Sequence, residues 1–334
     1  MIMEELGNKK SMQERKEFFY ILIDAIRKET EAFNYYYHAS EKSPSVDTKS
    51  LLIQLAEEER RHRIILVQEF QNLKRLLSPD KGKNTFLEKE RVSYQIPDEP
   101  VFKRAQSIKN VDLAVISLPT EFMGGDYFDS FVIDEKRLGL LIFDVMGHGL
   151  GAAELKAKVK VALGKLKELY LEKRANFELL RPASVVTELN QKLTEECQKL
   201  SSFVSLFYSV LDLSENRLIY SSAGHEPPML FGPQEFRQLV EADVLMGIDK
   251  EKVYSENTLE IHPGDILLLF TDGIVETLNS KDEEFSRKNL VKVVEENKNL
   301  SSSEMVQRFL SSLKDFLKGA PLIDEFTLAL AKIK

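Results

Sequence analysis

LLIFDVMGHG, residues 140–149, runs four apolar residues into an aspartate and then a glycine turn, and ILLLFTDGI, residues 266–274, repeats the plan with five. Apolar runs of this length, bounded by turn residues, suit buried strands. Asp144 and Asp272 therefore stand at strand ends. Two further stretches add acids in similar settings. GGDYFD, residues 124–129, places Asp126 behind two glycines that free the backbone to bend tightly. IDEFTLALAKI, residues 323–333, sets Asp324 just before the apolar run Phe326 to Ile333, which again reads as a strand. Hard oxygen ligands gathered from several strand ends, with no cysteine or clustered histidine among them, suit Mg²⁺ or Mn²⁺ better than zinc.

A lone aspartate after a strand is more often a turn former or helix cap than a ligand. The order and context of all four acids change that balance. Alongside LPTEFMGGDYFD (118–129) and FDVMGHGLGAA (143–153) stand Leu189-Asn190, FVSLFYSVLD (203–212) and YSSAGHEPPML (220–230). HPGDILLLFTDGIVET (262–277) and the closing DEFTLAL (324–330) complete the set. Across about Val101 to Lys334 this succession resembles the SpoIIE-type branch of the protein phosphatase 2C (PPM) superfamily.

The resemblance implies an α+β fold: a PPM-type β-sandwich flanked by helices, with two divalent ions and a bridging water at one end. Asp144 would bridge both ions, Asp126 and the carbonyl of Val145 would complete one site, and Asp272 with Asp324 the other. Paired ions of this kind acidify water and neutralise phosphoryl oxygens, so no protein nucleophile is needed. That agrees with the single thiol, Cys197, lying in a polar, helix-like stretch away from every glycine turn. Two departures from the family pattern stand out. Glu325 follows Asp324, which leaves the ligand role to Asp324 and a supporting position to Glu325. Met146 occupies a position more often small and polar. Asp129 is expected to support the turn rather than bind an ion. His148 and His225 lack metal-ligand spacing and are expected to pack or hydrogen-bond in their loops.

With 334 residues, 43% of them apolar, the chain is long enough for two domains, one with a sizeable core. The opening residues lack the apolar core of a signal peptide, and no later apolar run approaches the roughly eighteen residues a spanning helix needs. One cysteine excludes an intramolecular disulfide framework, so a reducing cytoplasm is the expected compartment. A formal charge of −8, with Lys and Arg dispersed, disfavours nucleic acid as a partner.

The organisation expected is a helical domain over 1–80, a polar linker over 81–100 and the phosphatase-like domain over 101–334. From Ser11 to Leu77 no glycine occurs and the only proline, Pro44, interrupts two long helical patterns, which reads as a hairpin. In the C-terminal region Leu155 to Leu171, Pro182 to Leu200 and Ser303 to Leu317 read as helices. Phe203 to Leu213 and Arg217 to Ser222 read as an antiparallel pair.

The hairpin holds an anomaly. The apolar stripe Leu52, Leu55, Glu59, His62, Leu66 carries a carboxylate and an imidazole, and Leu22, Ala25, Ile26, Glu29, Ala32, Phe33 encloses a glutamate. A charge buried without a partner is costly, so Glu29 and Glu59 should have a partner or a metal. The plain alternatives are a solvated charged face or a hydrogen-bonded polar cluster. These residues also resemble the ferritin-like, rubrerythrin-type helix pair, with Glu on one helix and Glu-x-x-His on the next. That implies half of a di-iron site, completed when two chains pair as a homodimer into a four-helix bundle.

The function expected is hydrolysis of phosphoserine or phosphothreonine on a regulatory partner protein of the anti-sigma-factor-antagonist kind. The helical domain would dimerise and regulate. Two other readings stand beside it: a catalytically silent adaptor, and an iron-binding or oxidase module carrying a passenger phosphatase domain.

Overall fold

The structure, a computed structural model, describes residues 102–103, 105–118, 124–146, 150–171, 179–200, 202–233, 236–240, 242–322 and 324–334, with residue 96 and a subset of positions from 21 to 66. Two compact units are present, residues 1–86 and 87–334. In the first, every described position from 21 to 40 (α1) and from 46 to 66 (α2) is helical, with a break at 42, 43 and 45. Leu22, Ile26, Phe33 and Ala56 are buried. The expected linker lies almost wholly outside the described residues.

The second unit is built on two five-stranded antiparallel sheets. One has the order β1 (Val111–Leu118), β10 (Phe326–Ile333), β9 (Ile266–Phe270), β6 (Met229–Phe231), β7 (Phe236–Gln238). The other runs β2 (Tyr127–Asp134), β3 (Arg137–Val145), β4 (Val204–Asp212), β5 (Arg217–Ala223), β8 (Asn257–Glu260). Helices α3 (Leu150–Leu171) and α4 (Pro182–Leu200) follow β3, while α5 (Ser286–Asn297) and α6 (Ser302–Leu317) precede β10.

The period of two along each strand sorts the apolar residues into three cores. Leu138, Leu140 and Ile142 of β3 face between the sheets, with Phe207, Leu267, Leu269 and Ala329. Leu141, Phe143 and Val145 face the other way, into α3 and α4 through Leu155, Val159, Val186 and Leu189. Leu268, Phe270, Leu328 and Leu330 likewise meet α5 and α6 through Leu290, Phe309 and Leu313. Burial on both faces is why LLIF and ILLLF read as unbroken apolar runs rather than alternating ones.

The β4–β5 hairpin pairs Asp212 with Arg217. Its turn is closed by the Asp212 carboxylate, which accepts the Ser214 N–H at 3.0 Å, and by Asn216 at φ 50°. No described helix is long and apolar enough to cross a membrane.

Candidate metal centre

Strand register brings the acids to one end of the sandwich. Tyr127 pairs with Phe143, so Asp126, one residue before β2, faces Asp144 near the end of β3. Leu328 pairs with Phe270, so Asp324 and Glu325, just before β10, sit beside Asp272 in the 3-10 turn that follows β9. Asp126 and Asp144 share the phase of Phe128, Leu140 and Ile142 and therefore lie on the inward faces, where the inter-sheet core gives way to polar groups.

One carboxylate oxygen each from Asp126, Asp144 and Glu325 lie within 4.8 Å of one another. Asp126 is buried, Asp144, Asp272 and Glu325 are half-buried, and Asp324 is exposed. Glu325 reaches further than expected: its carboxylate accepts the N–H groups of Gly125 and, at 3.3 Å, Asp126. Asp324 instead turns back, accepting the Glu325 N–H at 2.8 Å.

Close approach explains the glycines. A Cβ on Gly124 would fall inside the Glu325 carboxylate, and one on Gly273 would overlap the Glu325 carbonyl oxygen. A Cβ on Gly125 would lie 2.5 Å from the carbonyl oxygen of Val145 and 2.6 Å from Asp144 Oδ1. That carbonyl is thus held against the carboxylate cluster, while the next residue, Met146, is fixed through its main chain to Phe203 and Ser202.

Crowded acids raise one another's proton affinity. Asp126 is pushed well above the usual carboxylate range by burial first and then by Glu325, against the hydrogen bond from Thr271. Asp144 is pushed up by burial, then by Asp126, Asp272, Glu325 and Asp324 in that order. Lys156, whose Nζ donates to the Gly124 carbonyl at 2.9 Å, is a counter-charge to Glu325. Lys103 is a second, set near Asp126 and Glu325, and these ammonium groups do not balance five carboxylates. An all-oxygen donor set of this charge fits divalent Mg²⁺ or Mn²⁺.

Asp129, His225 and Cys197 are not part of this cluster. Asp129 faces the opposite side of β2 and pairs with Lys167 of α3 at 2.9 Å. His225 is buried with Nδ1 3.0 Å from the Ser205 hydroxyl. His148 lies outside the described residues. Cys197 is buried under Gly247, its thiol pushed up to about 12 by burial.

The first unit brings three predicted residues together. His62 Nδ1 is 3.0 Å from Glu59 Oε2 and 3.7 Å from Glu29 Oε2. Glu29 is raised by burial and then by Glu59. The carboxylates are half-buried as the stripe implied, but the His62 side chain is 56% exposed in the single chain rather than enclosed in a seam. Two carboxylates and an imidazole form a donor set suited to iron or a similar transition metal.

The model of the family "Stage II sporulation protein E (SpoIIE)" matches residues 134–334, more than half of the chain. The chain belongs to the SpoIIE family. A rubrerythrin model matches residues 20–110. Among relatives of this SpoIIE-family chain, "Phosphoserine phosphatase RsbU" of Bacillus subtilis is 30% identical over 226 residues, 67% of this chain and 64% of that protein. "Phosphoserine phosphatase RsbP" of the same organism is 26% identical over 158 residues, 46% of this chain and 37% of that protein. The chain thus spans less than two thirds of the length of these relatives. The SiaA-PP2C domain of Pseudomonas aeruginosa superposes with a TM-score of 0.59 at 16% identity, covering 67% of this chain and 86% of that one. The SpoIIE phosphatase domain with part of its regulatory domain, from Bacillus subtilis, gives 0.54 at 17%, covering 68% and 64%. The fold is therefore of PP2C type.

Proposed function

We propose that the chain is a metal-dependent protein-serine/threonine phosphatase. Its substrate is a phosphorylated regulatory protein of the anti-sigma-factor-antagonist kind, and its compartment the cytoplasm. The observation that carries this is the convergence of Asp126, Asp144 and Glu325, with Asp272 and Asp324 beside them, from the ends of both sheets. The names of the relatives RsbU and RsbP support the reaction class.

Asp126, Asp144, Asp272, Asp324 and the Val145 carbonyl would hold two Mn²⁺ or Mg²⁺ ions, and Glu325 is placed to join them. Two such ions supply Lewis acidity toward a phosphoryl group and toward water. The chain's own part is to fix the donors. Glu325 ties the Gly125 and Asp126 amides to the β10 side, and Lys156 holds the Gly124 carbonyl from α3. The buried, proton-retaining Cys197 is unsuited to act as a nucleophile. Phosphate release from a phosphoserine peptide in the presence of Mn²⁺ tests the assignment. It should vanish in Asp144→Asn with the circular dichroism spectrum unchanged. A wild-type chain that binds phosphopeptide and releases no phosphate would instead be the silent adaptor.

The Glu29, Glu59 and His62 cluster and the rubrerythrin match support a regulatory role for the first unit. In that reading residues 1–80 dimerise as a hairpin, 81–100 form the linker, and 101–334 form the phosphatase domain. Two half-sites then give four Glu and two His around a di-iron centre, whose occupancy biases the phosphatase. Metal analysis of protein purified without chelator should find iron that disappears in Glu59→Ala. Equal phosphatase rates in apo, ferrous and ferric forms would remove the sensor role. Rapid Fe²⁺ oxidation with no phosphatase activity would favour the oxidase module.

A further inference from the structure

One oxygen of Asp126 is already committed within the protein. Thr271 Oγ1 lies 2.7 Å from Asp126 Oδ2, and Thr271 is buried at the end of β9. The same hydroxyl accepts the Thr327 N–H at 2.9 Å, while Thr271 N donates to the Thr327 carbonyl at 3.0 Å. Thr271 is therefore locked to β10 through its main chain and its side chain. The Thr327 hydroxyl is near enough to the Asp126 carboxyl to favour its charged form, and the Ser117 hydroxyl on β1 sits 2.9 Å from the Thr327 hydroxyl. Ser117 and Thr327 are direct partners in the β1–β10 ladder.

The proton directions follow from valence. With a cation bound, Asp126 is an ionised carboxylate that only accepts, so Thr271 donates to it, and the Thr327 hydroxyl would do the same. Each hydroxyl has one proton, so once Thr327 turns its own toward Asp126, Ser117 is the donor of a pair whose direction is otherwise open. All three hydroxyls belong to the sheet opposite the one that Asp126 leads into.

We propose that Ser117, Thr327 and Thr271 form a buried hydroxyl relay that fixes the rotamer of Asp126 and leaves its second oxygen free for a cation. The three are positioning residues for metal binding and touch no substrate. This rests on the phosphatase reading of the carboxylate cluster. Groups that orient a metal-binding carboxylate typically contribute 10–100-fold in affinity. Ser117 acts at one remove, through one hydrogen bond.

The test is Mn²⁺ affinity of the full chain, read from the electron paramagnetic resonance signal of free Mn²⁺ in a titration, with circular dichroism melts in parallel. Asp126→Asn should lose a binding site. Thr271→Val should weaken it by about 10–100-fold, and Thr271→Ser should restore it to near wild type. Ser117→Ala should weaken it by about fivefold, the factor expected for one hydrogen bond. In the phosphatase assay the Mn²⁺ concentration for half-activity should rise in Thr271→Val and Ser117→Ala, with the rate at saturating Mn²⁺ retained. Wild-type affinity in both variants, with the site lost in Asp126→Asn, would overturn the relay and leave the metal centre standing. Wild-type affinity in Asp126→Asn would overturn the metal centre itself.

Discussion

Gly125→Ala is the sharpest probe of the cradle around the acids. The new Cβ would sit 2.5 Å from the Val145 carbonyl oxygen, 2.6 Å from Asp144 Oδ1 and 3.1 Å from Val145 N. The first of these is about 1 Å inside an ordinary carbon–oxygen contact. Val145 has nowhere to go: it is fully buried, paired with Val204 and followed by a Met146 amide bonded to Phe203 at 2.9 Å. The 124–126 turn must therefore move outward, pulling Asp126 off Thr271. Overpacking of this kind costs about 1–3 kcal/mol. In a unit of this size that lowers Tm by about 2–12 °C. Displacing Asp126 should weaken Mn²⁺ by at least about tenfold. Gly164→Ala is the control, since nothing lies within 4 Å of its added Cβ in the middle of α3. It should stabilise by up to about 1 kcal/mol through helix propensity and leave Mn²⁺ binding alone. Scanning calorimetry of chelated protein, followed by Mn²⁺ titration, reads both quantities. An unchanged Tm and Mn²⁺ affinity in Gly125→Ala would refute the close-packed cradle.

Asp126 and Asp144 are held above the usual carboxylate range by burial and then by neighbouring acids, so the metal-free folded chain keeps protons that the unfolded chain has released. The stability from these two groups is present below their unfolded pKa and is lost as pH rises through the raised values. The Tm of chelated protein should therefore fall as pH is taken up from about 4, less steeply in Asp144→Asn, and Mn²⁺ should restore it at neutral pH; identical slopes in the two proteins would contradict this. Cys197, buried with its thiol pushed up to about 12, should resist thiol reagents at neutral pH until the chain is denatured, and rapid labelling of native protein would contradict its placement. Asn190 donates to the Asp249 carbonyl at 2.7 Å and accepts the Gly247 N–H at 2.9 Å. Asn190→Ala should cost about 1–3 kcal/mol for each stranded group in urea unfolding, and a loss below experimental error would show those groups to be otherwise satisfied.

What could be read from the residues follows from how the layers bury them. Strands covered on both sides, such as β3 and β9, announce themselves as apolar runs, and their terminal acids, Asp144 and Asp272, come with them. Helix α4 and strand β10 have the predicted bounds, Pro182–Leu200 and Phe326–Ile333. Helix α3 begins at Leu150, ahead of the expected Leu155, because Gly151 extends the glycine-rich loop signal into what is the first helical turn. Strands β6, β7 and β8 have three or four residues and are set by pairing with neighbours, which leaves little local pattern. The role of Glu325 was hidden for another reason. Two adjacent acids look alike in a sequence, and the two amides that the longer side chain reaches belong to residues 125 and 126. Nothing in the sequence singles out Thr271, and only the fold sets it against Asp126. Asp129 shares a motif with Asp126, yet a separation of three along an extended chain sends it to the opposite face, toward Lys167.

The acids are divided between two plates: Asp126 and Asp144 ride on the rim of one sheet, Asp272, Asp324 and Glu325 on the rim of the other. The gap between the rims is set by Leu140, Ile142, Phe207, Leu267 and Leu269 deep inside. If the proposed metal centre holds, cation affinity becomes a gauge of how thick the filling is. A methyl group added or removed well away from the rim would shift the manganese dose–response. Mild interior variants would then be active or silent according to how much manganese or magnesium their surroundings supply.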